Sequence, residues 1–343
     1  MATMDVFNSD AFNTISLSSA VNKIPYQPSM LGGMNLFTKK RIRTKTAAIE
    51  VKNGTLSLIP TSQRGADLEE GSNDKRVIHN IDTVRLAKGQ TIYADEIQNV
   101  RAFGSESELQ QVQAMVAERS ASLLNDLALT KENMMLGAVQ GIVVDADGSS
   151  ELANWFTITG ESQAAEIDFD LDNASPASGA VRKKCNAVVR AMQTASKGSW
   201  TPGTYIVGLC GDNFFDDLTA HSEVRSTFLN QAQASDLRND FGMAYESVRY
   251  GGILFINYRG TDDGSSVAIG TDKCKFFPAN APGVFEEVLA PAEFLPFVNT
   301  MGQDFYSMIV TDDKRQAWVR PEIYSYPLHV CTRPAMLQRA KRT

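Results

Sequence analysis

The sequence predicts an α+β protein in which extended segments accompany one α/β unit. Three observations predict it: a long two-stranded β excursion near the amino end, one unusually long central helix, and alternating helices and strands after about residue 176. The chain has 343 residues, of which 43% are hydrophobic. A sizeable core can therefore be buried in one large domain or two ordinary ones.

The amino-terminal part predicts extended structure. Proline and glycine interrupt the apolar residues of segment 1–45, which predicts an arm with at most a short helix over 14–23. Residues 46–60 and 77–93 alternate apolar and polar side chains on either side of a polar loop. Asn53-Gly54 permits either a local hairpin or a longer strand with a bulge. A two-stranded ribbon is marginal alone, and we expect its supporting surface to come from another molecule.

The centre of the chain predicts a helix and then a hairpin. Residues 105–140 combine a capping box with helically spaced apolar side chains, and such a helix is about 50 Å long. The hairpin is expected over 142–160, with its second strand at 155–158 and its turn at Asp145-Ala146-Asp147-Gly148. We expect no calcium there, because a third ligand before the glycine and the terminal glutamate of a calcium loop are missing.

The remaining chain alternates helices and strands and ends in a strand-rich part. The predicted elements are a helix over 176–196, a strand over 204–209, a helix over 212–221 with a helical stretch to about 237, strands over 253–258 and 266–270, and strands over 305–311 and 317–325.

Charge is unevenly distributed. The net charge of −7 argues against a surface built to bind nucleic acid. Residues 39–52 are nevertheless basic, residues 145–172 are acidic, and the carboxyl end is basic again. These segments are either ordinary solvated faces or complementary surfaces that meet between neighbouring copies.

No catalytic, cofactor or metal site is predicted. The segment YIVGLCGD at 205–212 resembles a nucleophile elbow with Cys210 as nucleophile, but Asp212 replaces the final glycine. We interpret it as a strand–helix junction with Asp212 as N-cap. The four cysteines are too dispersed for a zinc set or disulfide framework, which predicts buried, reduced thiols. We expect no membrane span and no signal peptide.

Short segments along nearly the whole chain carry a family resemblance. They are AVNKIP at 20–25, GTLSLIP at 54–60 with Arg64-Gly65, IYADEIQNVRAFG at 92–104, DADG at 145–148, KCKFFP at 273–278, NTMG at 299–302 and SYPLHVCTRP at 325–334. In this order they resemble the phage major capsid protein E family, the lambda-type proteins with the Hong Kong 97-type capsid fold. The stretch QDFY at 303–306 and Tyr326 depart from the family pattern.

The resemblance implies how the chain is divided. Its parts would be an N-terminal arm (1–45), an extended β-hairpin E-loop (46–90), a peripheral domain (91–165) with spine helix 105–140 and hairpin 142–160, an α/β axial domain (166–285), and return strands of the peripheral domain (286–343).

The resemblance also implies a function. The chain would be the major capsid protein of a tailed bacteriophage, not an enzyme, and would assemble into pentamers and hexamers of an icosahedral shell around double-stranded DNA. Scaffolding, portal and decoration proteins are candidate partners, DNA would be enclosed without sequence-specific binding, and no membrane would be involved. Assembly in the host cytoplasm would precede a place in the virion. The alternatives are a tail-tube or portal subunit and a cytosolic α/β enzyme with Cys210 as nucleophile.

We expect the working residues on the arm and the E-loop. The candidate inter-subunit contacts are Lys39, Lys40, Arg41, Arg43, Arg64, Glu69, Glu70, Lys75 and Arg76. The basic residues Lys39, Lys40, Arg41, Arg43 and Arg64 would meet acidic segments of neighbouring copies. Lys52 or Lys75 would be the loop-side candidates for lysine–asparagine isopeptide bonds, which lambda-type relatives are not known to form.

Overall fold

A computed structural model of the chain describes residues 30–52, 76–99, 108–173, 175–229, 246–259 and 267–343. The helices are α1 (Met30–Gly33), α2 (Ala94–Asn99), α3 (Glu108–Gln140), α4 (Trp155–Thr159), α5 (Ala180–Ala195), α6 (Asp212–Ala220) and α7 (Ser222–Leu229). The first strands are β1 (Thr38–Arg41), β2 (Thr46–Lys52), β3 (Arg76–Asp82), β4 (Leu86–Gly89), β5 (Ile92–Tyr93), β6 (Ile142–Val144), β7 (Glu151–Asn154) and β8 (Ile167–Asp168). The later strands are β9 (Tyr205–Cys210), β10 (Ser247–Tyr250), β11 (Ile253–Asn257), β12 (Lys273–Ala279), β13 (Phe285–Leu289), β14 (Tyr306–Thr311), β15 (Trp318–Ser325), β16 (Pro327–Cys331) and β17 (Gln338–Lys341).

A six-stranded sheet organises the α/β part, in the order β10-β11-β9-β12-β17-β8. Strand β9 is parallel to β11 and antiparallel to β12. Its side chains alternate between the faces: Ile206 and Cys210 pack with α5 and α6, whereas Val207 and Leu209 join the main core. Both faces are buried, which explains why this strand is apolar throughout.

The carboxyl end belongs to this sheet. Strand β17 lies between β12 and β8, with Ala340 opposite Cys274. The ion pairs of Arg342 with Asp217 (2.9 Å) and Asp272 (3.2 Å) hold the end of the chain there. The expected return segment 286–343 is therefore divided in the structure, because its last strand completes the sheet of the α/β part.

Two further sheets flank the long helix. One has the order β1-β13-β16, and the other joins β14, β15, β4 and β5. Residues 86–89, expected within the loop excursion, are thus a strand of this second sheet. Helix α3 packs along both: Leu123 and Leu124 contact Ile323, and its residues from Met134 onward join the main core.

The long helix is confirmed from Glu108 to Gln140. It runs through Gly137 and is followed by Gly141, whose φ of +86° is a left-handed value. Gly137 serves a different purpose, since a Cβ there would lie 2.8 Å from the carbonyl oxygen of Ile142. The chain folds back onto its own helix at this point, and only glycine leaves enough room.

The hairpin after the helix is only partly as predicted. Strands β6 and β7 pair antiparallel, but the expected second strand at 155–158 is wrong, because these residues form α4. The Asn154 side chain caps this helix by accepting a hydrogen bond from the backbone N–H of Thr157 at 3.3 Å. Trp155 and Phe156 are buried on the helix.

Some predicted elements fall partly or wholly outside the described residues. These are the helix at 14–23, the Asn53-Gly54 turn, the first residues of the long helix and the helical stretch from 230 to 237. In the expected strand 266–270, the described residues form a single β-bridge, between Ala268 and Arg259. Of the helices that the structure describes, none combines the length and apolar composition needed to cross a bilayer.

We predict that Gly137→Ala destabilises the fold by about 1–3 kcal/mol. Alanine ordinarily favours a helix interior by about 1 kcal/mol, so the backbone clash with Ile142 must reverse the sign. Urea unfolding of the purified chain measures the effect. Gly203→Ala, where a Cβ would meet open space, is the matched control and should be nearly neutral. Stabilisation by Gly137→Ala would contradict the proposed role of this glycine.

Candidate assembly surface

Three of the basic arm residues form ion pairs within the chain. Strand β1 pairs in parallel with β13, which brings Lys40 Nζ to 3.6 Å from Glu286 Oε2. Lys39 Nζ lies 2.5 Å from Asp304 Oδ1, and Arg41 Nη2 lies 3.3 Å from Asp304 Oδ2. Exposed pairs of this kind contribute about 1 kcal/mol or less each. They position the arm on its own subunit and leave part of each cation exposed.

The pKa values of Asp304 and Lys39 reflect this contact. Burial alone would raise the pKa of Asp304, but the hydrogen bond from Lys39 and the charges of Lys131 and Arg41 outweigh it, so the pKa is lowered. Burial likewise opposes the charge of Lys39, yet the hydrogen bond to Asp304 raises the pKa of that ammonium. Both groups are therefore charged at neutral pH.

The other candidate contacts differ in their surroundings. Arg43 is exposed, and within the described parts of the chain it makes no ion pair or side-chain hydrogen bond. Arg76 begins β3 opposite Lys52. The remaining candidates, Arg64, Glu69, Glu70 and Lys75, lie outside the described residues. Contact of these side chains with neighbouring copies stays a prediction.

The predicted excursion is an antiparallel ribbon at its base. Strands β2 and β3 pair from Thr46 opposite Asp82 to Lys52 opposite Arg76, and within the described residues they form a sheet of their own. Ala47 and Ile49 are buried in the main core, whereas Ile78, on the opposite face, is 63% exposed. The expectation that the ribbon has no support within its own chain is wrong for its base, because alternation directs one face inward.

A buried cation on the long helix binds strand β13 and the segment that precedes β14. Lys131 Nζ donates to Glu287 Oε1 at 3.3 Å and to the backbone oxygen of Asp304 at 3.0 Å. The Lys131 and Glu287 side chains are only 9% and 5% exposed. Removing one partner of such a pair leaves an uncompensated buried charge, at a cost of about 3–5 kcal/mol.

The next residue of the helix holds the arm. The Glu132 carboxylate accepts hydrogen bonds from the backbone N–H groups of Leu31 (2.9 Å) and Gly32 (3.3 Å) and from the Tyr258 hydroxyl (3.0 Å). Glu132 is buried, and its carboxylate meets the N–H groups in the first turn of the short helix α1, which cannot bond within the helix. One side chain therefore connects the arm, the long helix and the residue that follows β11.

Sequence reasoning missed both buried charges. A Lys-Glu pair in a helix usually faces solvent, and charged residues are rarely buried. One signal was present: Lys131 continues the helical spacing of Leu124, Ala128 and Met135, which form the apolar stripe of this helix. A charge inside such a stripe indicates a buried partner.

A fully buried histidine lies beside the ion pair of Lys131 and Glu287. His329 Nε2 lies 3.8 Å from Glu287 Oε1, and neither ring nitrogen has a hydrogen-bond partner in the described part of the chain. Burial lowers the pKa of His329 to about 4; the charge of Glu287 opposes this effect and that of Lys131 adds to it. The imidazole is therefore neutral at neutral pH, and its ring lies nearly perpendicular to that of Phe37, with the ring centroids 5.3 Å apart.

The elbow-like segment is a structural junction. Cys210 is fully buried, with its Sγ 3.3 Å from Cys274 Sγ. The N-cap of α6 is Gly211, which corrects the assignment to Asp212, the first helical residue. The Asp212 carboxylate accepts a hydrogen bond from Arg259 Nε at 2.9 Å, and that bond lowers the pKa of Asp212.

The Asp147 carboxylate in the turn of the hairpin accepts its hydrogen bonds from residues of the same turn. Asp147 accepts hydrogen bonds from the backbone N–H groups of Ser149 (2.9 Å) and Ser150 (2.8 Å) and from the Ser150 hydroxyl, which lowers the pKa of Asp147. Across the residues that the structure describes, no group of three or more His, Cys, Asp or Glu side chains is arranged to hold a metal ion.

Comparison with known proteins identifies the class of molecule. The family model for phage major capsid protein E matches residues 13–342. The chain belongs to this family. It is a phage major capsid protein, a structural protein of the virion, as the sequence predicted. A curated member, the major capsid protein of Salmonella phage Felix O1 (isolate Felix O1-VT1), is 25% identical over 363 residues and matches 95% of each chain.

Solved structures confirm the fold predicted for this capsid protein. The crystal structure of a prophage capsid protein from E. coli CFT073 superposes with a TM-score of 0.60 at 13% identity, covering 96% of this chain and 99% of that one. The capsid subunit of cyanophage Pam1 gives 0.51 at 12% identity, covering 90% and 88%. At these identities the likeness shows the fold alone, the mixed helix-and-sheet fold of Hong Kong 97-type capsid proteins.

We predict that the buried imidazole makes the capsid protein less stable as pH falls from about 6.5 to about 4. The unfolded His329, with a pKa of about 6.5, binds a proton there that the folded one does not. Below about pH 4 the free energy of unfolding is lower by about 3 kcal/mol than it is above pH 6.5. Urea unfolding of His329→Leu should lack this component, and His79→Gln should retain it. An unchanged pH dependence in His329→Leu would contradict the assignment.

Proposed function

We propose that the ribbon and arm of this capsid protein hold neighbouring subunits together in pentamers and hexamers that close into an icosahedral head. The observation that carries the proposal is the two-faced ribbon. One face is anchored by Ala47 and Ile49, while Ile78 lies exposed on the other. Within the described residues, β2 and β3 pair only with each other, so each has a free edge that a neighbour can cover.

The arm would supply the electrostatic part of the contact. Arg43 lies two residues after the end of β1, so the ion pairs of Lys39 and Arg41 with Asp304 restrict where this exposed cation projects. The turn between β6 and β7 carries Asp145 and Asp147, which are both exposed. Every copy of the chain therefore presents an acidic group to its neighbours. Opposite charges on two parts of one chain favour head-to-tail contacts, which close into rings.

Further features of the proposal concern what the shell contains and meets. The net charge of −7 suits a container for DNA, itself a dense anion, without sequence-specific binding. The parts would be used as in the Hong Kong 97-type plan, with 1–45 as arm, 46–90 except β4 as E-loop, 91–165 and 286–343 except β17 as peripheral domain, and 166–285 together with β17 as axial domain. Assembly would occur in the host cytoplasm, with scaffolding, portal and decoration proteins as candidate partners.

We also propose that the chain works without catalysis. A cleft of about 390 Å³ lies between the arm and α3, with a largely apolar lining. Its charged residues Lys39, Lys131, Glu287 and Asp304 are engaged with each other. Cys210, the nucleophile of the enzyme alternative, is fully buried and is not exposed as a nucleophile elbow requires.

We predict that Ile78→Lys blocks shell formation while leaving the subunit folded. A cation on the exposed ribbon face cannot be buried by a neighbour without a partner, so assembly should fall at least about tenfold. Negative-stain microscopy and sedimentation measure assembly, and thermal melting measures folding. Asn80→Lys adds the same charge to the same face at a polar position and should assemble. Normal shells from Ile78→Lys would exclude an apolar contact at this face.

We predict that Arg43→Glu also weakens assembly, because it reverses an exposed charge without breaking an intrachain ion pair. Lys45→Glu is the comparison variant: Lys45 is 86% exposed but lies 4.0 Å from Asp82, so its reversal affects an ion pair within the chain, and it should weaken assembly less than Arg43→Glu. Partial rescue of Arg43→Glu by Asp145→Lys would identify the acidic turn as the partner. Equal assembly of Arg43→Glu and wild type in low salt would rule out the contact.

A further inference from the structure

Two of the four thiols face each other across a strand pair. Cys210 on β9 is directly opposite Cys274 on β12, and their Sγ atoms are 3.3 Å apart. Both side chains are fully buried in the cluster between the six-stranded sheet and α5 and α6. The two sulfurs are thus in contact at the centre of the sheet.

The backbone geometry of this pair suits a disulfide. Gly211 donates its N–H to Lys273 O at 3.0 Å, while Cys210 O accepts from Tyr258 N at 3.0 Å on the opposite side. The position of Cys210 and Cys274 is therefore a non-hydrogen-bonded one, where Cα atoms are about 4.5 Å apart. Disulfides span Cα separations of about 4.4–6.8 Å, so closing the sulfurs to about 2.05 Å needs only local adjustment.

The remaining cysteines are placed differently. Cys331 lies on β16 in the main core, in a separate cluster from the facing pair. Cys185 lies on α5 in the same cluster as the pair, and no backbone ladder holds it opposite either sulfur. The pairing partner of Cys210 is therefore set by strand register.

We propose that Cys210 and Cys274 form a disulfide when the particle leaves the reducing cell, locking β9 to β12. The thiolate of one cysteine attacks a small-molecule disulfide and releases one thiol. The second cysteine then attacks the mixed disulfide and releases the other thiol. The two cysteines lose two electrons and two protons, which the small disulfide takes up as it becomes two thiols.

The surroundings decide when this step occurs. On the proposed function the chain folds in the host cytosol, where thiols stay reduced, and it meets oxidants only outside the cell. Burial also raises the pKa of Cys274, which keeps this thiol protonated and slows the reaction. The bond would close a long loop, from 210 to 274, and raise the melting temperature by about 5 °C.

The test uses the purified full-length chain, both unassembled and assembled. It is incubated with oxidised glutathione, its free thiols are alkylated, and it is digested without reduction for mass spectrometry. We expect a linked peptide pair containing Cys210 and Cys274, and a rise in melting temperature that dithiothreitol reverses. Because the unassembled chain is included, failure of the assembly proposal would not affect this result.

Variants make the assignment specific. Cys210→Ala and Cys274→Ala should each abolish the linked peptides and the melting shift, while Cys331→Ala should retain both. The wild-type peptide map decides the matter even if a variant fails to fold. Absence of the Cys210–Cys274 link after prolonged oxidation, or a dominant link to Cys185, would overturn the proposal.

Discussion

Two consecutive buried charges on the long helix hold the described parts of this capsid protein together. Consecutive helical residues point about 100° apart, so Lys131 and Glu132 reach different sides of the helix. Lys131 binds Glu287 of β13, and Glu132 binds the arm at Leu31 and the hydroxyl of Tyr258. Burying charge is costly, and these contacts offset that cost only when every partner is in place. These contacts therefore fix the positions of the arm, β13 and Tyr258 relative to the long helix.

This rigid centre allows other parts to reach outward. The ribbon is anchored by Ala47 and Ile49, and the same alternation that buries them exposes Ile78 on the reverse face. The arm is positioned through Asp304, which leaves Arg43 exposed. A shell subunit needs this combination, because the same contact is repeated between many copies and its projecting groups must be held at constant positions. The six-stranded sheet adds a second rigid unit, in which the facing thiols lie.

Prediction from sequence succeeded where the signal was local or carried by the family resemblance. Helical spacing identified the long helix, and alternation identified both strands of the ribbon. Short apolar runs were ambiguous: residues 155–158 read as a strand, yet the Asn154 cap makes them helical. The candidate contacts were chosen by charge, and the structure shows Lys39, Lys40 and Arg41 in ion pairs with acids of their own chain. Charge in a sequence does not reveal which acid lies nearest in space.

The sequence by itself determined the long helix, the two strands at the base of the ribbon and, through resemblance, the family. Only the tertiary structure decided which elements meet. The parallel pairing of β1 with β13, the insertion of β17 beside β12, and the contact of Glu132 with Leu31 all join residues far apart in the chain. Periodicity and capping are set by neighbours within a few residues, whereas a strand edge or a buried carboxylate accepts any partner of suitable geometry. The packing of the whole chain selects that partner.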